Sequence, residues 1–250
     1  MGIVARVGFL FTRRWLVFAV VVALLAWLAV ALGDWQFRRL AERKEANATL
    51  IANLQALPVP VDSLMRIGGD APAGSEWRTI TATGTWDTEN TVVVRYRTLQ
   101  GKPGVEVVTP LRTPTGTVIV DRGWLRTANE GNARPDLPDL DQGTVTVTGH
   151  VRVNATGSSA QVDNLSTRAV SSSEIAKHLA GQQVYGGFVQ LAKQSPPPPS
   201  ALVVLDIPEV NEGPHFFYGL QWWFFGALAV VGFFYLLYDE IRRRRSEPTT

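Results

Sequence analysis

The chain has 250 residues, 46 % apolar and 18 % charged, with no cysteine. That composition excludes a wholly disordered chain, and the missing thiols exclude disulfides, thiolate metal sites, thiol nucleophiles and covalent haem attachment through CxxCH. The net charge of +2 hides an asymmetry: residues outside 45–213 carry 11 Lys/Arg and 5 Asp/Glu, whereas those inside carry 13 and 17. A basic nucleic-acid-binding domain is therefore not expected.

Residues 1–14 read as a short cytoplasmic N-terminus. Residues 15–32, Trp15 to Leu32, hold no charge. As a helix they reach roughly 27 Å, close to the hydrocarbon thickness of a bilayer. Ala29-x-Ala31 fits a signal cleavage site, but the apolar stretch is longer than a usual signal core, so a permanent anchor is expected. Residues 33–57 read as a helical extension, rich in Ala, Leu, Glu and Arg and ended by Pro58 and Pro60.

Residues 58–214 read as an extracytoplasmic β-rich domain. Trp77–Trp86 and Thr91–Arg97 around polar Asp87–Asn90 predict a hairpin. Val105–Arg112 and Thr117–Leu125 around Thr113–Gly116 predict a second. Thr144–Val153, Val184–Leu191 and Ala201–Ile207 are further strands. Ser171-x-x-Glu174 predicts a capping box for one short helix carrying Ile175, His178 and Leu179, with Gly181 as its stop. Gly131–Gln142 reads as a loop and prolines 196–199 as a stiff extended turn. The expected fold is two transmembrane helices flanking a mainly antiparallel β domain, a sandwich or partly open barrel with one short helix.

Residues 215–238 form the second span, with Tyr and Trp at its start and Tyr at its end, as interfacial belts require. Residues 239–250 are a basic cytoplasmic tail. Arg6, Arg13, Arg14 and Arg242–Arg245 outnumber Arg38, Arg39, Arg43 and Lys44, which places both termini in the cytoplasm. Arg exceeds Lys 20 to 4, the bias of a GC-rich bacterial coding sequence. A multi-pass protein of the bacterial inner membrane follows, with the lipid bilayer as its first partner. Ala23, Ala26, Ala29, Gly226, Ala227 and Ala229 provide small surfaces on which the spans could pack.

Catalytic motifs are missing. No GxSxG, HExxH, P-loop or GxGxxG occurs, and the carboxylates are scattered, so no enzyme is expected. His150 and His178 read as ordinary domain residues. In Arg122-Gly123-Trp124 the expectation is a bulge glycine, a core tryptophan and an exposed, ion-paired arginine. His215 is different, because it stands where the second span begins. His215, Tyr218 and Trp222 are i, i+3 and i+7 and share a face, with Gln221 next to the stripe. An imidazole and an amide here read either as an interfacial belt or as a contact for another helix or a cofactor.

Four motifs, in order, resemble the surfeit locus protein one family of cytochrome c oxidase assembly factors. They are Leu32-Gly33-Asp34-Trp35-Gln36-Phe37-Arg38-Arg39; Val107-Val108-Thr109-Pro110-Leu111 with Val120-Asp121-Arg122-Gly123-Trp124-Leu125; Val147-x-Gly149-x-Val151-Arg152; and His215-Phe216-Phe217-Tyr218-Gly219-Leu220-Gln221-Trp222. Arg126 departs from a common proline, and Gly213-Pro214 from a common asparagine. The resemblance implies a bacterial, non-enzymatic helper for subunit I of haem–copper cytochrome c oxidase, with other respiratory subunits as further partners. It also implies haem a as a cofactor to be delivered. His215 is then the candidate iron ligand, Tyr218, Gln221 and Trp222 its surroundings, and Arg38 and Arg39 partners for the propionates. The alternative is a permanent accessory subunit that binds no haem.

Overall fold

The computed structural model describes residues 8–127, 134–140, 143–200 and 202–246. The chain divides into two compact units, one of residues 1–48 with 210–250 and the other of residues 49–209.

The first unit is a pair of long helices. Helix α1 covers Arg13–Gln55 without a break, so the first apolar segment and its polar extension are one rod about 65 Å long, whose last turns belong to the second unit. The second long helix, here α4 because two short helices precede it, covers His215–Ser246. Both are long and apolar enough to cross a membrane. They run antiparallel: Phe37 meets Phe216, Ala29 faces Gly226, and Trp15 and Phe18 meet Phe233.

Glycine sets how closely the helices approach. A Cβ on Gly33 would lie 2.3 Å from Cδ1 of Trp223, and one on Gly219 would lie 2.8 Å from the Phe37 ring. Ala26, Ala29 and Gly226 continue the seam as expected, but Ala23 and Ala227 are exposed. Gly33 and Gly219 lie outside the set of small residues expected at the seam. Beyond the seam, Arg43 Nε and Asn47 Nδ2 donate to the Asn211 carbonyl at 3.2 and 2.9 Å, and Lys44 lies 3.5 Å from Glu212. The side chains of α1 thereby hold the segment that leads into α4.

The second unit is built on a closed five-stranded barrel. Its strands are β2 (Thr79–Trp86), β4 (Lys102–Thr113), β5 (Gly116–Arg126), β6 (Thr144–Arg152) and β8 (Phe188–Ser195). They run in the order β2–β6–β8–β5–β4 and return to β2. Neighbours are antiparallel except β5 and β8, which are parallel, so the barrel is mixed. The remaining strands are additions: β3 (Val92–Leu99) pairs with β4, β7 (Ser166–Thr167) with β3, and β1 (Val59–Pro60) with β2. The short helices are α2 (Val61–Leu64) and α3 (Ser172–Ala176).

The barrel closes where the sequence suggested only a partial opening, because β4 is long enough for two partners. Its first part pairs with β3, while Leu111 and Arg112 at its end pair with Trp86 and Thr85. This also corrects the first expected hairpin. β2 and β3 do not pair with each other; residues 87–91 are a corner that carries the chain out of the barrel. Asp87 pins that corner, accepting from Arg112 Nη2 at 2.6 Å and Nε at 3.1 Å. The second expected hairpin, β4–β5, forms.

Side chains alternate across each strand. Ile80, Leu111, Val118, Val120, Val147, Val151 and Val189 fill one core, while Val92, Val94, Val108 and Ile119 pack with Ile175 of α3 and with Leu179 just after it in a second. Val93 joins Val105 and Val107 in a third. Three consecutive buried valines on β3 are what burial of both faces produces.

Local expectations fared unevenly. Helix α3 ends at Ala176, five residues before Gly181, which takes φ +70° in the turn that follows; Ser171 makes no capping bond, and Asn154 Oδ1 instead accepts from the Ser172 N–H at 2.7 Å. Residues 184 and 185 form isolated bridges ahead of β8, and of the strand expected at 201–207 only Val203 bridges, to Trp124. Ala201 lies outside the described residues, as do 131–133 and 141–142 of the expected loop. Residues 134–140 of that loop hold no helix or strand.

One charge cluster is buried. Asp121 is 3 % exposed, and burial pushes its carboxyl up to about 7, with the neighbouring Glu106 adding repulsion. The Gly123 N–H donates to its Oδ1 at 3.1 Å, and Arg97 and Arg152 oppose the rise. Burial also raises Glu106, against the pull of Arg97 Nε at 3.0 Å.

Two outcomes are expected. In a chain without native cysteine, A29C/G226C should cross-link, since a Gly226 Cβ would stand 3.1 Å from that of Ala29, near the roughly 3.5 Å a disulfide accepts. A23C/A227C should not; a non-reducing gel reads both. The folded state holds the Asp121 proton more tightly than the unfolded chain. Its stabilising share is complete below the unfolded value near 4 and is lost as pH rises through about 7. Asp121→Asn should therefore gain melting temperature over the wild type as pH goes from 5 to 8. A constant difference across that range would contradict the assignment.

Candidate functional site

His215 is the first residue of α4, and its Nδ1 lies 2.8 Å from Gln36 Oε1 on α1. Both side chains are half-buried. An amide oxygen only accepts, so the ring donates from Nδ1, which leaves Nε2 as the nitrogen free to meet a ligand. The contact exists because Gln36 lies three residues beyond Gly33, on the flank of the α1–α4 seam.

A helix turns about 100° per residue, which places the other candidates. His215, Tyr218 and Trp222 lie within about 60° of one another on one flank of α4. Tyr218 is exposed and Trp222 half-buried, its ring edge-on to Phe225 at 6.3 Å. Gln221 is exposed and sits about 160° round from Gly219, away from α1. On α1, Arg39 lies about 60° from Gln36, whereas Arg38 is about 160° away on the other flank. Arg39 Nη1 donates to Glu42 Oε2 at 2.9 Å, and its guanidinium stands 5.9 Å from the centre of the Trp35 ring.

The structure thus keeps His215, Tyr218 and Trp222 on one flank of α4 and joins His215 to Gln36, which the spacing analysis did not single out, while Arg39 contacts Glu42 and Trp35 on its own helix. No rule within one helix could find Gln36, since its partner is 179 residues away in sequence. Its place in the Leu-Gly-x-Trp-Gln motif was the available signal.

The donor set suits an axial haem ligand. A ligating histidine characteristically donates its second ring N–H to an oxygen acceptor, which fixes tautomer and orientation. The Nε2 edge is flanked by Gly213, where a Cβ would stand 3.4 Å from the nitrogen, so glycine leaves that edge open. Among the described residues, no group of three or more His, Asp or Glu is placed to hold a metal ion.

In the domain, Gly123 has φ +126°, and a Cβ there would stand 2.5 Å from the Val203 carbonyl oxygen, which explains the glycine. Trp124 is buried against Gly104. Arg122 departs from expectation: it is buried, not exposed and ion-paired. His150 packs in the fold, 3.4 Å from Thr79 Oγ1, and burial lowers its pKa. His178 is exposed on the turn after α3.

Comparison with known proteins places these motifs. The model of the SURF1 family matches residues 23–227, a range that contains both Gln36 and His215. Uncharacterized SURF1-like proteins of Mycobacterium bovis and of two Mycobacterium tuberculosis strains are similar to this chain. Each is 33 % identical over 250 residues, covering 97 % of this chain and 90 % of the relative. The chain belongs to the SURF1 family, known as a family of cytochrome oxidase assembly factors.

Proposed function

We propose that this protein is a membrane-anchored assembly factor that helps deliver haem a to subunit I of a haem–copper cytochrome c oxidase, with His215 as the ligand. The observation that carries this reading is the Gln36–His215 hydrogen bond. It joins two family motifs and turns Nε2 of His215 away from Gln36.

A bound haem would supply an iron able to take a histidine nitrogen, and His215 would hold it. The chain's own residues do the rest. Gln36 holds the Nδ1 proton and prevents the ring from turning. The α1–α4 seam keeps Gln36 in place. Tyr218 and Trp222 offer aromatic faces on the same flank for an apolar macrocycle. Arg39 is the better placed of the two arginines for a propionate. Its present pair with Glu42 is an exposed i,i+3 contact worth about 0.2–0.5 kcal/mol, so a carboxylate can displace it cheaply. Release to the oxidase would exchange the imidazole–iron bond for a ligand of the receiving subunit, with no oxidation or group transfer by this chain. The spans are read as lying in the bacterial inner membrane with both termini in the cytoplasm, from the arginines at either end.

Expressed where haem a is made, His215→Ala should lose haem and lower assembled oxidase. Gln36→Leu should weaken haem retention about 10- to 100-fold, the usual cost of removing such a supporting group. Gln36→Glu, which still accepts from Nδ1, should restore it. Absorbance per purified protein and oxidase content are the readouts. Unchanged haem and oxidase in His215→Ala would refute the ligand role, and stoichiometric recovery with mature oxidase would favour the permanent-subunit reading. Green fluorescent protein fused to either terminus should fluoresce; a dark fusion at one end would overturn the orientation.

A further inference from the structure

Arg122 is 4 % exposed, yet among the described residues no carboxylate pairs with it and no acceptor takes its hydrogen bonds. Its visible partner is the Trp86 ring, whose centre is 5.6 Å from the guanidinium carbon. Burial alone perturbs the group, pushing it down to about 10, with no neighbouring charge contributing. Two nearby acids are occupied or turned away, and a third, Asp139, is exposed on the wall of the same space without pairing with Arg122. Asp87 is taken by Arg112, with Asn90 and Gln182 at 3.0 and 3.3 Å. Asp121 precedes Arg122 on the same strand, and successive side chains point to opposite faces. A buried guanidinium without an anion is costly, so an arginine in this state needs a counter-charge from elsewhere.

A cavity is present where that charge would sit. Arg122 lines an open-sided space of about 230 Å³, room for several waters or a small anion. Thr88 and Thr91 of the corner after β2 form part of the wall, and Leu137, Pro138 and Leu140 form more of it. Arg134 ties the two segments together by donating to the carbonyls of Thr91 and Leu165, each at 3.0 Å. The Thr91 hydroxyl already donates to the Thr88 carbonyl at 2.9 Å, which leaves the Thr88 hydroxyl as a free donor among the described residues. Exposed Asp139 also lines the space and disfavours a highly charged ligand.

We propose that this cavity is an oxyanion-binding site that takes the carboxylate or phosphate group of a small ligand. Arg122 grips two oxygens with its planar fork, and the Thr88 hydroxyl donates to one of them. Asp139 in the wall repels a dianion more than a monoanion, which favours a short carboxylate over bare phosphate. The site is separate from His215, and neither reading depends on the other.

Thermal unfolding of the full-length protein in detergent, at constant ionic strength, tests the proposal. Butyrate and inorganic phosphate should each raise the wild-type melting temperature saturably above chloride controls, butyrate at the lower concentration. Arg122→Gln should abolish the response, and Thr88→Val should raise the required concentration several-fold. If Arg122→Gln does not fold, Arg122→Lys and Thr88→Val decide, both with weakened responses. No response in the wild type, or an equal response in the folded variants, would overturn the site. So would an internal ion pair, seen as destabilisation by D139N/D141N in the wild type that vanishes in Arg122→Gln.

Discussion

Two aromatic rings pressed against glycine backbone determine what the helical unit can do. Trp223 occupies the space a side chain at position 33 would need, and Phe37 occupies that of position 219. In an apolar surrounding there is no hydrophobic gain from pairing two apolar helices, so association must come from close contact. Many dispersion contacts, each small, supply it once the backbones approach. The phase of this packing also fixes which flanks adjoin. One residue of rotation, about 100°, would carry Gln36 away from the imidazole. Packing and candidate chemistry therefore share residues, and the motif midway along α1 meets the motif at the start of α4.

In the β domain the comparable constraint is the length of β4. Twelve residues serve β3 along one part and β2 at the end, and the short pairing with β2 closes the barrel. The corner between β2 and β3 must then leave the barrel, and the buried Asp87 holds it through Arg112. That same corner supplies the threonines beside Arg122. Closure of the barrel and the walls of the cavity thus follow from one strand register.

The buried charges of β5 follow from alternation. Asp121 and Arg122 are adjacent, but a strand sends them to opposite faces. The acid meets another acid and becomes reluctant to ionise. The base meets an aromatic ring and a cavity. Neither neutralises the other, although they are consecutive.

The sequence by itself determined whatever depends on composition and local period. The uncharged run from Trp15 to Leu32 and the aromatic-flanked run from Phe216 to Tyr238 could form little but long helices. Alternation in Thr144–Val153 and the turn at Thr113–Gly116 announced strands, and spacing put His215, Tyr218 and Trp222 on one flank. Tertiary structure alone decided the pairings. Polar residues 87–90 looked like a hairpin turn, but β2 found its partners in β6 and β4, because strand pairing is settled by the whole sheet and not by the nearest turn. Gln36 became a partner of His215, and Arg122 a buried rather than a surface charge, for the same reason. Hydrogen-bond partners and burial are set by residues distant in sequence, which no local period encodes.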